Sequence, residues 1–298
     1  MERRGIDTDI AGFLRDKRVC IVGLGLMGGS FGMALRRAGV VREVIGVVRR
    51  PEAAPEAVAL GAVDRATLDG PSAVAVADVV ILCTPVRTII RQIGELGSHL
   101  RPGTVLTDMG STKRAICRAM ESLPEGVQPV GAHPMCGKEQ AGIKAADPDL
   151  FRDRIWVVSP LPRSSPEAVR VVEALGQAVG SRVIRLDPAR HDQLVAAISH
   201  LPYLLSCALV ASADALAQHD PDVWTLAASG FRDTSRLAAS DVRMMLDILL
   251  TNREPVLAMV ERLQADLGAL ADRLRRGDEV GLMAELEHIR AIRSARRF

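Results

Sequence analysis

Three kinds of group in this sequence are able to act together on a bound small molecule: backbone bared by glycines, an imidazole beside a proline, and arginines four residues apart. The glycines come in CIVGLGLMGGS, residues 20–30, where an apolar run stops at Val22 and Gly23-Leu24-Gly25-Leu26-Met27-Gly28 follows. Between a strand and a helix, that spacing is a dinucleotide fingerprint. Gly23 permits the tight turn, Gly25 lets a pyrophosphate approach the backbone, and Gly28 lets helix and strand pack closely. The helix opening at Leu26 and Met27 offers unpaired N–H groups and a positive dipole end to the phosphates. An NAD site carries an acid about 20 residues further on for the ribose 2′-hydroxyl. Here the region reads Val47-Val48-Arg49-Arg50-Pro51. The acid is missing, and guanidinium groups suit a 2′-phosphate, which favours NADP over NAD. The alternative is that Arg49 and Arg50 form only an exposed turn.

In a doubly wound sheet, ligands lie beyond the carboxyl ends of the strands. Three stretches end there: Cys83-Thr84-Pro85, Thr107 to Lys113, and Gly131 to Lys138. Thr84 and Pro85 belong with the cofactor loop. His133 follows directly on a strand and precedes Pro134, on the cofactor side, so it is the candidate base. Ser111 is placed to hydrogen-bond nearby, whereas Lys113 has a second reading, as serving only the helix after it. Further on, His191 and Asp192 open a helix, and Ser199 and His200 follow about two turns later, near a kink expected at Pro202. Polar groups inside an apolar helix cost stability unless they are paired or used. In GFRDTSR, residues 230–236, a helix would set Arg232 and Arg236 on one face as a bidentate carboxylate receptor. The competing reading is a solvated face with Asp233 as partner.

These groups need rigid elements. The spacing predicts strands at 18–22, 43–48, 79–83, 105–108, 127–131, 155–159 and 182–185. Helical segments at 27–38, 55–60, 86–99 and 113–120 lie between the early ones. Such alternation indicates βαβ units and a doubly wound, mostly parallel, Rossmann-type sheet. Asp187 is a good N-cap and Pro188 a good first helical residue. Beyond them no convincing strand occurs; Leu194, Ile198, Leu201, Leu205 and Leu209 recur at helical spacing, and 242–250 and 255–276 are also helical. The expected architecture is a dinucleotide-binding domain, 1–187, and an all-helical substrate and dimerisation domain, 188–298. The stretch 160–166, with three prolines, reads as a surface loop.

The 298 residues suffice for two domains with cores, and a net charge of +2 gives no pull toward nucleic acid or membrane. Five cysteines without CxxC pairing point away from a metal site or disulfide framework and toward a reducing compartment. The first ten residues lack an apolar signal segment, no run is judged long enough to span a membrane, and the basic stretch 290–298 reads as a solvated helix end. The expectation is a cytoplasmic protein with a small-molecule substrate, no metal, no nucleic-acid partner and no membrane.

Taken in order, GLGLMGGS, DMGSTK, GAHPMCGKE, ARHD followed by ISHLPY, and FRDTSRLAASD resemble the prephenate and arogenate dehydrogenases of tyrosine biosynthesis, over nearly the whole chain. The resemblance implies oxidative decarboxylation of a cyclohexadienol: hydride leaves C4 for a nicotinamide, the 4-hydroxyl loses its proton, and loss of the ring carboxylate as CO₂ makes the ring aromatic. It implies that His133 accepts that proton, that Ser111 holds the hydroxyl and orients His133, and that Arg236 binds a substrate carboxylate. His200 would lie near nicotinamide and substrate, and Asp192 would support the site. The helical domain would form a homodimer, with the active site in the cleft between domains. Prephenate-preferring relatives often read SHLPH where this chain has Tyr203, and some carry a tryptophan where Met245 aligns. With VVRR, these departures lean toward NADP-using, arogenate-accepting members. Extra regulatory or mutase domains are not expected. One rival, a hydroxy-acid dehydrogenase with a lysine base in its second domain, meets a chain with no lysine after Lys144. The other, a non-catalytic dinucleotide-sensing regulator, gives no reason for His133, Ser111 and Arg236 to occur together.

Overall fold

The computed structural model describes residues 12–138 and 140–296. Residues 1–11, on which the expectation about a signal segment falls, lie outside the described residues, as do Glu139 of GAHPMCGKE and the last two residues of the basic C-terminus. Strands β1 (Arg18–Val22), β2 (Glu43–Val47), β3 (Arg65–Thr67), β4 (Val79–Leu82), β5 (Val105–Asp108), β6 (Gln128–Pro134), β7 (Ile155–Pro160) and β8 (Arg182–Arg185) form one sheet in the order β3-β2-β1-β4-β5-β6-β7-β8. Neighbours are parallel except β6 and β7. Central β1 and β4 are almost wholly apolar, and both they and β5, which ends in Thr107-Asp108, are buried, as a helix-covered parallel sheet requires. The helices α1 (Leu26–Ala38), α2 (Ala53–Ala59), α3 (Gly70–Ala75), α4 (Val86–Gly97), α5 (Arg114–Met120) and α6 (Pro166–Ala178) supply that cover.

Strand order reverses between β1 and β4, and such a switch point opens a crevice at the strands' carboxyl ends. The sequence pattern omits α6, and it also omits two short elements. β3 is a three-residue edge strand, and α3 is a single short helix capped by Asp69, whose side chain accepts from Ser72 N. Neither is long enough to show a period.

After β8 the described chain is helical: α7 (Pro188–Val195), α8 (Leu201–Ala217), α9 (Asp222–Thr225), α10 (Ser229–Ser235), α11 (Val242–Thr251), α12 (Arg253–Arg276) and α13 (Glu279–Ser294). Asp187 caps α7 by accepting from Ala189 N and Arg190 N. The kink expected at Pro202 is instead a π-helical turn, Ala196–His200, just before it. Proline removes an N–H donor and crowds the preceding turn, and a widened turn accommodates both. The expectation about membrane-length runs needs correcting. The helical stretch Pro188–Ala217 is long and apolar enough to cross a membrane by length and composition, with 22% of its most apolar window buried in this chain. Polar residues interrupt it in the sequence, and four of them, His191, Asp192, His200 and Ser206, are buried, together with apolar Val195, Ala196 and Tyr203.

Candidate active site

The glycine loop stands where β1 meets α1. Gly23 takes φ +97°, and a Cβ there would lie 2.6 Å from the Thr84 side chain, so the loop touches the end of β4. A Cβ on Gly28 would fall 2.1 Å from Gly23 O. Helix and turn are therefore in backbone contact. Around Gly25, by contrast, nothing lies within 4 Å of a built Cβ. Gly25 makes no side-chain cap, and the first α1 bond runs from Gly29 N to Gly25 O, 2.9 Å. The N–H groups of Leu26 and Met27, in the first turn of α1, have no intrahelical acceptor, and the open space beside Gly25 fits a pyrophosphate. Thr84 spends its hydroxyl on Gln92 Oε1, 2.7 Å away, and Pro85 is exposed before α4. Arg49 and Arg50 are exposed just past β2, and Arg50 lies 3.5 Å from Glu52.

His133 sits within β6, not after it, because that strand continues to Pro134 by pairing with β7: His133 is opposite Val157. What fixes the strand end laterally is a buried pair. Pairing of β5 with β6 stops at Leu106 and Pro129. Beyond that point Asp108 accepts from Ala132 N at 3.1 Å and Gly110 N at 2.7 Å, and it pairs with Lys113 Nζ. Lys113 Nζ also donates to Ala132 O at 2.6 Å. Both side chains are 0% exposed. The ammonium therefore stitches β5 to the residue before His133, and Lys113 does far more than serve α5.

The helical domain meets this edge with two carboxylates at helix N-termini. Asp192 accepts from Lys113 N (2.7 Å) and Arg114 N (2.9 Å) at the start of α5, which has no cap of its own. Asp247 accepts from Arg87 N at 3.2 Å at the start of α4. Negative charge there meets the orphan N–H groups and the dipole together. Asn252 Nδ2 donates to Asp192 O (2.8 Å) and to His200 Nδ1 (3.1 Å), leaving His200 its hydrogen on Nε2. Neither Asn252 nor Lys113 carried a spacing signal that named its task.

His133 is part-buried and held by His191, Nδ1 to Nε2 2.8 Å. The bond expected from Ser111 is not formed among the described residues; Ser111 lies in the loop after β5, half-buried. Burial, and then unfavourable electrostatics with His191, Lys113 and His200, hold the His133 imidazole well below its ordinary value. Burial likewise lowers His200 to about 4. Both rings are therefore neutral near pH 7. Tyr203 is buried beside Met245 and Ile248 in one apolar cluster, and burial raises its hydroxyl. Ser199, on the same π turn as buried His200, is exposed, and so is Arg232, which lies 3.4 Å from Asp233. The shared helical face expected for Arg232 and Arg236 is interrupted: α10 ends at Ser235, and a 3₁₀ turn, Arg236–Ala239, begins. Ser206 Oγ anchors that segment by donating to Thr234 O, 2.8 Å.

Two family models match the chain: "Prephenate dehydrogenase, nucleotide-binding domain" over residues 31–185 and "Prephenate dehydrogenase, dimerization domain" over 187–288. A prephenate dehydrogenase of Bacillus subtilis is 33% identical over 80% of this chain, which spans 65% of that relative's length. Among solved structures, prephenate dehydrogenase from Aquifex aeolicus, in complex with hydroxyphenyl propionate and NAD⁺, superposes with a TM-score of 0.88 at 30% identity, covering 95% of this chain and 99% of that one. Synechocystis arogenate dehydrogenase gives 0.80 at 31% identity, over 93% and 99% of the two chains.

Proposed function

This chain belongs to the prephenate dehydrogenase family, and from that premise we propose that it carries out the oxidative decarboxylation of prephenate or arogenate with a nicotinamide dinucleotide. The observation that carries the reading is one neutral imidazole, His133, at the carboxyl edge of the sheet that also bears the glycine loop. The dinucleotide, held by the loop from Gly23 to Gly28, supplies the hydride acceptor. The residues of the chain do the rest. His133 takes the 4-hydroxyl proton, and a neutral ring is the form able to do so. Ser111 holds that hydroxyl, and His200, with its hydrogen on Nε2, is a donor facing the same reaction. Arg236 grips a substrate carboxylate. The test is direct: purified protein with prephenate or arogenate, each with NAD and with NADP, followed by absorbance of the reduced cofactor. No turnover in any combination overturns the reading.

Arg236→Gln is expected to raise the substrate KM by roughly 10- to 100-fold, the worth of a charge-assisted hydrogen bond, with a smaller change in kcat. An unchanged KM would assign the carboxylate to another group.

NADP is the favoured cofactor, supported by Arg49 and Arg50 where an NAD site has its acid. Arg49→Ala with Arg50→Ala should weaken NADP about 10-fold or more and leave NAD nearly unaffected, measured as cofactor KM. Equal losses for both cofactors would mean the arginines do not read the phosphate. Arogenate is the favoured substrate, because Tyr203 stands where prephenate-preferring relatives often have histidine and Met245 where some relatives carry tryptophan.

The helical domain is read as the interface of a homodimer. Supporting this, its matched family model is a dimerization domain, and apolar residues stand exposed along it, among them Ile198 at 69%, Leu216 at 59% and Leu274 at 66%. A second copy would cover the apolar stretch Pro188–Ala217 without any membrane. The five free cysteines support a cytoplasmic setting.

A further inference from the structure

Behind His133 lies a line of hydrogen bonds with a direction. His133 Nδ1 is 2.8 Å from His191 Nε2, and His191 Nδ1 is 2.8 Å from Asp192 Oδ1. His191 and Asp192 are each 1% exposed, so water does not compete for these bonds. The direction follows from the end with only one option. Asp192 already accepts from Lys113 N on Oδ1 and Arg114 N on Oδ2, at the positive end of α5. A carboxylate so placed accepts and does not donate. His191 Nδ1 therefore carries a hydrogen, and with that single ring hydrogen in place Nε2 is left as an acceptor. His133 Nδ1 must then donate, and its Nε2 is the bare nitrogen.

We propose that His191 is a positioning residue which, anchored by Asp192, holds His133 in the Nδ1–H tautomer and so presents His133 Nε2 as the lone pair that takes the substrate proton. The proposal rests on the role given to His133 above and deepens it. The base faces the crevice from the sheet domain, but the groups that set its tautomer stand on α7 of the helical domain. A correct tautomer thus requires the two domains to be docked. The Asp192 carboxylate does both jobs, capping α5 and orienting His191.

The test reads the tautomer itself. Ligand-free protein labelled with nitrogen-15 in its histidines is examined at neutral pH by NMR, where the protonated and bare ring nitrogens are distinguished. The signal of His133 is assigned by its loss in His133→Asn. The expected wild-type result is hydrogen on Nδ1 of His133. In His191→Phe the hydrogen should move to Nε2, and kcat should fall roughly 10²-fold or more with cofactor affinity unchanged, since a base in the wrong tautomer is disabled. Hydrogen on Nε2 of His133 in the wild type overturns the proposal, even if the variant does not fold. So does a His191→Phe protein with wild-type kcat. The tautomer is read without substrate, so a failure here is separable from a failure to turn over prephenate or arogenate.

Discussion

Replacing His133 by Asn is expected to lower kcat by about 10²–10⁴-fold, the contribution of one positioned base, while dinucleotide affinity stays near wild type. The variant is chosen for what it keeps. An Asn amide occupies nearly the place of the ring's Nδ1 side, so the contact with His191 and the packing of β6 against β7 survive. What is lost is the basic nitrogen alone. Binding at the glycine loop depends on β1, α1 and the end of β4, none of which contains His133. Steady-state rates with prephenate and arogenate, alongside a cofactor titration, separate the two effects. Turnover within a few-fold of wild type would remove His133 from the chemistry. Equal loss of turnover and cofactor affinity would mean the substitution had disturbed the crevice as a whole.

The same ring sets a pH dependence whose sign is fixed by its environment. Burial, together with unfavourable electrostatics from His191, Lys113 and His200, depresses His133 well below 6.5. The neutral, active form therefore persists as pH falls past 6.5, and the acid limb of kcat/KM should lie below that point. Stability follows the same logic. A depressed histidine binds its proton in the unfolded chain first, so stability is complete above about pH 6.5 and is lost as pH falls toward the folded value. His200, lowered to about 4, adds to the loss over the same window. Denaturant unfolding at pH 7 and pH 5 should show a smaller acid loss in His133→Asn than in the wild type. An identical loss would mean that His133 is not held neutral by folding.

How much of this was legible in the sequence depends on whether a group acts along the chain or across it. The glycine loop was legible because strand, turn and helix are consecutive, and Gly28 answers to Gly23 within the same turn, although the neighbour that Gly23 meets, Thr84, is distant in sequence. The α7 cap at Asp187 was legible for the same reason. The sequence marks His133 as a candidate, but the local pattern ends its strand at residue 131, because β6 is prolonged by pairing with β7 over twenty residues away, which no local pattern records. Ser199 and His200 were grouped as neighbours in sequence, yet the π turn buries one and exposes the other. Asp192 and Asp247 cap helices that begin 79 and 160 residues away, counted from Lys113 and Arg87. Their targets are helices lacking caps of their own, and that deficit is visible in sequence only after the helices are placed. His191 was noted for its position but not for its partner, since the bond to His133 spans 58 residues.

The least legible residue, Lys113, is also the one whose loss should cost the fold most. A lysine in a polar loop before a helix reads as a surface charge, and its burial at 0% exposure follows only from the splaying of β5 and β6. Lys113→Met is expected to destabilise the protein by about 3–5 kcal/mol, because Asp108 is left as a buried charge without its counter-ion. That is a large part of the roughly 5–15 kcal/mol typical of a folded chain. Charge, not volume, is the cause: methionine nearly fills the lysine stem. Asp108→Asn placed on Lys113→Met should therefore restore part of the loss, with a coupling on the order of 1–3 kcal/mol, because the amide removes the stranded charge while its oxygen still accepts from Gly110 N or Ala132 N. Urea midpoints of the wild type, both single variants and the double variant supply the cycle. Strict additivity would show that the two groups do not neutralise one another. In the double variant the bond from Lys113 Nζ to Ala132 O is still missing, so the residue before His133 remains less firmly tied to β5. Stability should recover further than kcat, because one needs the charge gone and the other needs the imidazole held in place.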